Sequence, residues 1–174
     1  PVVMRATTEG NDIDKVLIAD NKFVDTDLGL LSISDGTGWG YAHQRGRLKD
    51  VRVFRNYGYE IGKRPSRSFV GTGFHFFCPV TLHVAGNVLK ELGGQGINVK
   101  AAKTSGVWGD VPFSRVLIHH NKVWHSLQIC NDVGGIEAWQ HGPIYIYNNL
   151  SHDARGLREY ARQYSGSHAG FGHA

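Results

Sequence analysis

An all-β solenoid of about five stacked coils is what the 174-residue sequence predicts, and three observations carry that prediction. Five segments, residues 16–21, 51–56, 82–87, 116–121 and 144–149, repeat one pattern of alternating apolar residues closed by Asn. The closing Asn recurs at intervals of 35, 31, 34 and 28 residues. Each segment is followed by a second apolar pair, as in Phe23-Val24, Val88-Leu89 and Val123-Trp124, and then by a Gly-led strand. Repetition at this length means one supersecondary unit stacked on its own copies.

Three short strands per repeat, each half apolar, cannot bury themselves as a hairpin or a helix pair. They can form one coil of a three-sided parallel β-helix, in which every coil covers its neighbour's core. The Asn-closed segments supply one strand per coil and the apolar pairs the second. The third comes from the Gly-led segments 29–33, 73–77, 96–100, 135–139 and, less cleanly, 156–160. Asn21, Asn56, Asn87, Asn121 and Asn149 are expected to form a ladder. Asn tolerates the left-handed backbone of a sharp turn, and its amide can bond the amides one coil above and below.

The repeated Val-x-Ile-x-x-Asn, the ladder it implies and the Gly-led strand that follows resemble the right-handed parallel β-helix of the pectate-lyase superfamily over roughly residues 16–160. The resemblance implies that fold and a carbohydrate-active protein. It does not select an activity, because polysaccharide lyases, glycoside hydrolases, epimerases, tailspikes and adhesins share the fold. The His-Gly-Asn-Arg stretch of β-helix lyases acting on alginate and dermatan is absent, as is the aspartate cluster of pectate lyases. No catalytic residue is therefore carried over.

Composition fits a single domain spanning 1–174, with 41% hydrophobic residues to fill a narrow bore and 23 Gly and 5 Pro for its corners. The chain starts at Pro1, and neither end resembles a solenoid cap, so a piece of a longer solenoid is expected. No apolar run reaches the 18 residues of a membrane span and no signal peptide is visible, and a secreted or periplasmic location is the expectation. Cys78 and Cys130 fall two coils apart, roughly 10 Å at ~4.8 Å per coil, which favours two thiols over a disulfide. The net charge of +4 gathers in Arg45, Arg47, Lys49, Arg52 and Arg55 and in Lys63, Arg64 and Arg67. A solvated loop face explains these sets; as a function they would attract an anionic polysaccharide rather than nucleic acid or a membrane.

Strand alternation places Phe74, Phe76, Ile97, Val99, Ile136, Ala138 and Leu157 in the bore and their neighbours outside. One outer row then reads Leu30, His75, Asn98, Glu137, Arg158, and the second Ser32, Phe77, Lys100, Trp139, Tyr160. Charged groups beside aromatic rings suit a sugar: His75, Asn98, Trp139 and Tyr160 as binding residues, Glu137, Lys100 and Arg158 as catalytic ones. A surface ion-pair ladder is the plain alternative for the charges, and packing under a loop for Trp139. Long connections carrying Trp39, Tyr41, His43, Trp108 and Asp110 would wall the groove.

Two reactions fit. Elimination from a uronic acid needs Lys100 or Arg158 as base or acid, and a counter-charge such as Ca²⁺ held by Glu137 with Asn98 or Asp132. Hydrolysis needs paired carboxylates, Glu137 with Asp132 or Asp153. No metal ligand set is read from the sequence: His119-His120 has only His83 and Tyr147 nearby and does not converge. The glycosylation-like Asn149-Leu150-Ser151 uses a ladder residue. The sequence therefore points to a lyase or hydrolase for an acidic polysaccharide. A non-catalytic β-helix, whether adhesin, tailspike-like stalk or carbohydrate-binding module, is the alternative.

Overall fold

The computed structural model describes residues 2–6, 11–34, 48–64, 71–100, 115–129, 133–139, 143–154 and 172–173. Among these the chain forms a three-sided parallel β-helix of about five coils, built from three five-stranded parallel sheets. The Gly-led sheet runs Val2–Arg5, Leu31–Ser34, Phe74–Phe77, Ile97–Lys100, Ile136–Trp139. The Asn-closed sheet runs Ile13–Ala19, Leu48–Phe54, Thr81–Ala85, Arg115–His119, Ile144–Tyr147. The third runs Lys22–Thr26, Tyr57–Ile61, Val88–Leu92, Lys122–Trp124, Leu150–His152. A short pair, Val133–Gly134 with Gly172–His173, stands apart.

Register follows the sequence repeat. Val16 lies beside Val51, Val51 beside Leu82, Leu82 beside Val116, and Val116 beside Ile144. Those steps are 35, 31, 34 and 28 residues, the intervals of the ladder Asn. Side-chain period is two, so slipping any strand by one residue would turn its apolar set to solvent. The bore is filled by Val51, Val53, Leu82, Val84, Phe74, Phe76, Leu89, Ile97, Val99, Val116 and Ile118, all essentially inaccessible. Burying each such side chain contributes about 1.5–3 kcal/mol.

The ladder forms across all five Asn. Each Nδ2 from Asn21 to Asn121 donates to the next Oδ1 at 2.9 Å, and the same Oδ1 accepts the backbone N–H of the previous Asn at 2.9–3.1 Å. The second Nδ2 proton goes to a strand carbonyl, as in Asn87 to Val53 at 2.9 Å. At Asn149 both amide protons are taken this way, by Ile118 and Tyr147.

One expectation is corrected here. The left-handed residue is not the Asn but the one before it: Asp20, Arg55, Gly86, His120 and Asn148, with φ from 53° to 69°. Turning the chain one residue early swings the Asn side chain beneath the corner, where it reaches its neighbours. Four of the five positions carry a side chain, at a cost of roughly 1–2 kcal/mol each, and the ladder bonds offset it.

Two further differences concern the Gly-led sheet. Val2–Arg5 opens it, a strand too short and too close to the N-terminus for the repeat to reveal. In the next coil Leu31, not Leu30, lies beside Phe74. Leu30 thus stands where later coils have their leading Gly, and it is fully buried. Gly58 makes room for it, since a Cβ there would lie 2.8 Å from the Leu30 Cδ1.

Candidate active site

The Gly-led sheet brings most of the predicted site residues into two lateral rows. His75, Asn98 and Glu137 are register neighbours, and so are Phe77, Lys100 and Trp139. The one-residue shift in the earlier coil corrects the lower end of both rows. Ser32 lies beside His75, not level with Phe77, and Leu30 leaves the outer face for the bore. Arg158 and Tyr160 lie outside the described residues, as do Asp132, Cys130, Leu157, Arg45, Arg47, Arg67, Trp39, Tyr41, His43, Trp108 and Asp110. Cys78 is buried.

The rows are not an open platform. Asn98 and Lys100 are only 5% and 3% exposed, and His75 is half-buried, while Trp139 stands at an accessible edge. Burial penalises charge, and both titratable groups respond. The His75 imidazole is pushed down to about 4, first by desolvation and then by the Lys100 ammonium. Burial also lowers Lys100 from the usual lysine range, with Cys78 acting in the opposite sense. His75 is therefore neutral at neutral pH, and its ring lies 4.3 Å from that of Phe77. Glu137 accepts the Gln95 amide and, at 3.3 Å, the Gly134 N–H, and Gln95 accepts in turn from Thr72 at 3.2 Å.

Ca²⁺ takes six to eight oxygen ligands; the described rows offer one carboxylate, already engaged by Gln95 and Gly134, and the expected further ligand Asp132 lies outside the described residues. The hydrolytic partner Asp153 stands at the far end of the third sheet, 3.0 Å from the His152 imidazole. The described members of the two basic sets are ion-paired on the surface: Lys49 with Asp12, Arg52 with Asp50, Arg55 with Asp20, Arg64 with Asp27 and Lys63 with Glu91. Exposed pairs of this kind contribute ~0–1 kcal/mol each.

The Asn-closed sheet carries a second polar face. His83 and His119 meet Nε2 to Nε2 at 2.7 Å, and His119 Nδ1 meets His120 Nδ1 at 2.7 Å. Opposite nitrogens of His119 are used, so these imidazoles form a chain rather than converging on a point. Burial lowers the pKa of His83 and His119, and at His83 the Arg52 and Arg115 guanidiniums add to it. His119 also stacks on Tyr147 at 4.8 Å.

Sequence reading missed a third constellation. Asp25, Glu60, Glu91, His125 and Asp153 all have left-handed backbone, φ 50° to 56°, at the corner that ends the third sheet. Each falls four residues after a ladder Asn, which is the signal that could have found them. Here Glu91 bonds the His125 Nδ1, and Gln128 donates to Glu91 at 2.6 Å. The His125 bond, as the largest cause, holds Glu91 below the usual carboxylate range. Glu60 beside Tyr59 raises that phenol.

No family model matches the chain, and neither a curated protein nor a solved structure matches it. Fold and rows together define the class: a three-sided parallel β-helix with an asparagine ladder, with buried polar side chains, Asn98 and Lys100, on one outer face.

Proposed function

We propose that this β-helix is a carbohydrate-active protein akin to the pectate-lyase superfamily, cleaving an acidic polysaccharide by elimination at the Gly-led face. The observation that carries the reading is a pair of titratable groups in adjacent rows, both shifted by burial: half-buried His75, neutral at neutral pH, and buried Lys100, whose pKa is lowered. Enzymes tune bases toward working pH by burial of this kind, and perturbed groups cluster at functional sites. Lys100, as the neutral amine, takes the proton at C5, α to the uronate carboxylate; the C4–O glycosidic bond breaks as the C4=C5 double bond forms, and the resulting ammonium gives the proton to the leaving oxygen. Glu137 and Asn98 hydrogen-bond the sugar, and Trp139 at the exposed edge stacks on it; Tyr160 and Arg158, which the sequence repeat offers for stacking and counter-charge, lie outside the described residues. Of the two carboxylates that hydrolysis could pair with Glu137, Asp153 does not join it on this face and Asp132 lies outside the described residues; the shifts at His75 and Lys100 favour elimination. Secretion or a periplasmic location accords with a polysaccharide substrate.

A non-catalytic carbohydrate-binding module is the second reading. It is favoured by Tyr145 and Tyr147, exposed rings at the end of the Asn-closed sheet. One assay separates the two. Uronic-acid polymers incubated with the protein should yield unsaturated ends absorbing in the ultraviolet, and Lys100→Ala and Glu137→Gln should each lower turnover by at least ~10²-fold. New reducing ends without ultraviolet absorbance would mean hydrolysis, and binding without products would leave the module.

A further inference from the structure

We propose that the corner ending the third sheet binds a divalent transition-metal ion of the zinc class through His125, His152 and Asp153. Trp124 and His152 are register neighbours, so the next residue of each coil, His125 and Asp153, meet at the corner. Both have left-handed backbone there, which directs the two side chains to the same outer edge. The His125 Nε2 lies 3.4 Å from the Asp153 Oδ2, and the His152 Nδ1 lies 3.0 Å from that same oxygen. All three ligand atoms fall within 4.8 Å of one another. Around a zinc ion with bonds of about 2.0–2.2 Å, neighbouring tetrahedral ligands lie roughly 3.4 Å apart.

The proton inventory of His125 points the same way. Its Nδ1 is bonded to the Glu91 carboxylate, so in the neutral ring Nδ1 carries the proton and Nε2 the lone pair. Nε2 faces the Asp153 carboxylate, a pairing that a cation between the two atoms satisfies. Carboxylate, imidazole and metal in line is how ligating histidines are commonly oriented, and Gln128 in turn holds Glu91 at 2.6 Å. Two imidazoles with one carboxylate suit zinc and its neighbours rather than Ca²⁺ or Mg²⁺, which take oxygen. The His125, His152 and Asp153 side chains are 42%, 61% and 37% exposed, so the remaining coordination position opens to water. One ion would join two successive coils, stapling the solenoid where its last described strands are most exposed. This site is independent of the Gly-led face.

A proton could bridge the same atoms, with His125 as an imidazolium between Glu91 and Asp153, and the test separates the two. The chelator-stripped chain is titrated at pH 7.5 with zinc chloride by calorimetry and with Co²⁺ by visible absorption, and each protein is melted with and without zinc. One ion per chain, a higher melting temperature with zinc and Co²⁺ bands of tetrahedral intensity are expected. His152→Ala and Asp153→Asn should each weaken binding at least ~10-fold and Glu91→Gln by roughly 10–100-fold, whereas His83→Ala should bind as the parent does. These are surface side chains, and metal-free melts confirm folding; where His152→Ala melts differently, His152→Gln replaces it. Absence of zinc binding by the parent, or unchanged affinity in both His152→Ala and Asp153→Asn, overturns the site and leaves the bridging proton.

Discussion

Two outer faces of the same coils have opposite fates. In the middle of the Gly-led face Asn98 and Lys100 are almost inaccessible, whereas in the middle of the Asn-closed face His83, Leu117 and His119 stay partly exposed. Both are built by the same alternation, and in both every second side chain points away from the bore. Alternation therefore reports which side of a sheet a residue occupies, not whether water reaches it. The chemistry diverges accordingly: desolvation drives His75 down to about 4, while the lowering at His83 and His119 is smaller.

The largest effect on stability should come from testing that divergence with pH. His75 has a folded pKa of about 4 against an ordinary 6.5, so below pH 6.5 the unfolded chain takes up a proton that the folded chain refuses. The unfolded state then binds more protons, and stability falls as pH drops from 6.5 toward 4, by up to about 3 kcal/mol. Denaturant melts across that range should show the slope in the parent and its loss in His75→Gln, with His119→Gln changing it less. A parent slope untouched by His75→Gln would mean that the Gly-led face is wetter than its burial indicates.

A smaller effect separates the inside of a coil from its bare surface. Asn87→Ala removes ladder partners from Asn56 and Asn121 in a water-free corner and should cost about 1–3 kcal/mol. Tyr145→Ala, on the exposed face, should stay within ~0.5 kcal/mol. Thermal melts give both numbers, and equal midpoints for Asn87→Ala and the parent would remove the ladder as a source of stability.

The fold was legible because it is periodic. Five Asn at nearly constant spacing fixed the coil, and Val16, Val51, Leu82, Val116 and Ile144 fell into the register their spacing requires. Where periodicity weakens, reading fails. The Val2–Arg5 strand has no Asn or leading Gly to mark it, and Leu30 occupies a glycine's place only because Gly58, a coil away in space, makes room. The left-handed residue before each Asn was hidden because Asp20, Arg55, Gly86, His120 and Asn148 share no side-chain chemistry; the corner imposes the conformation, not the residue. At the candidate site, alternation put His75, Asn98, Glu137, Lys100 and Trp139 on one face but said nothing of what covers them. The cluster at His125 went unread because its members come from separate coils and share only a constant offset from the ladder.

That an acidic glycan lies on the Gly-led face is tested most directly by fluorescence. Trp139 stands at the accessible edge of that face, while Trp124 belongs to the third sheet with the Lys90 ammonium 4.1 Å over its ring. An acidic oligosaccharide titrated into the parent, Trp139→Phe and Trp124→Phe should give a saturable emission change that falls in Trp139→Phe and persists in Trp124→Phe. A change undiminished in Trp139→Phe and lost in Trp124→Phe, or none with any acidic oligosaccharide, contradicts the placement of the glycan on this face.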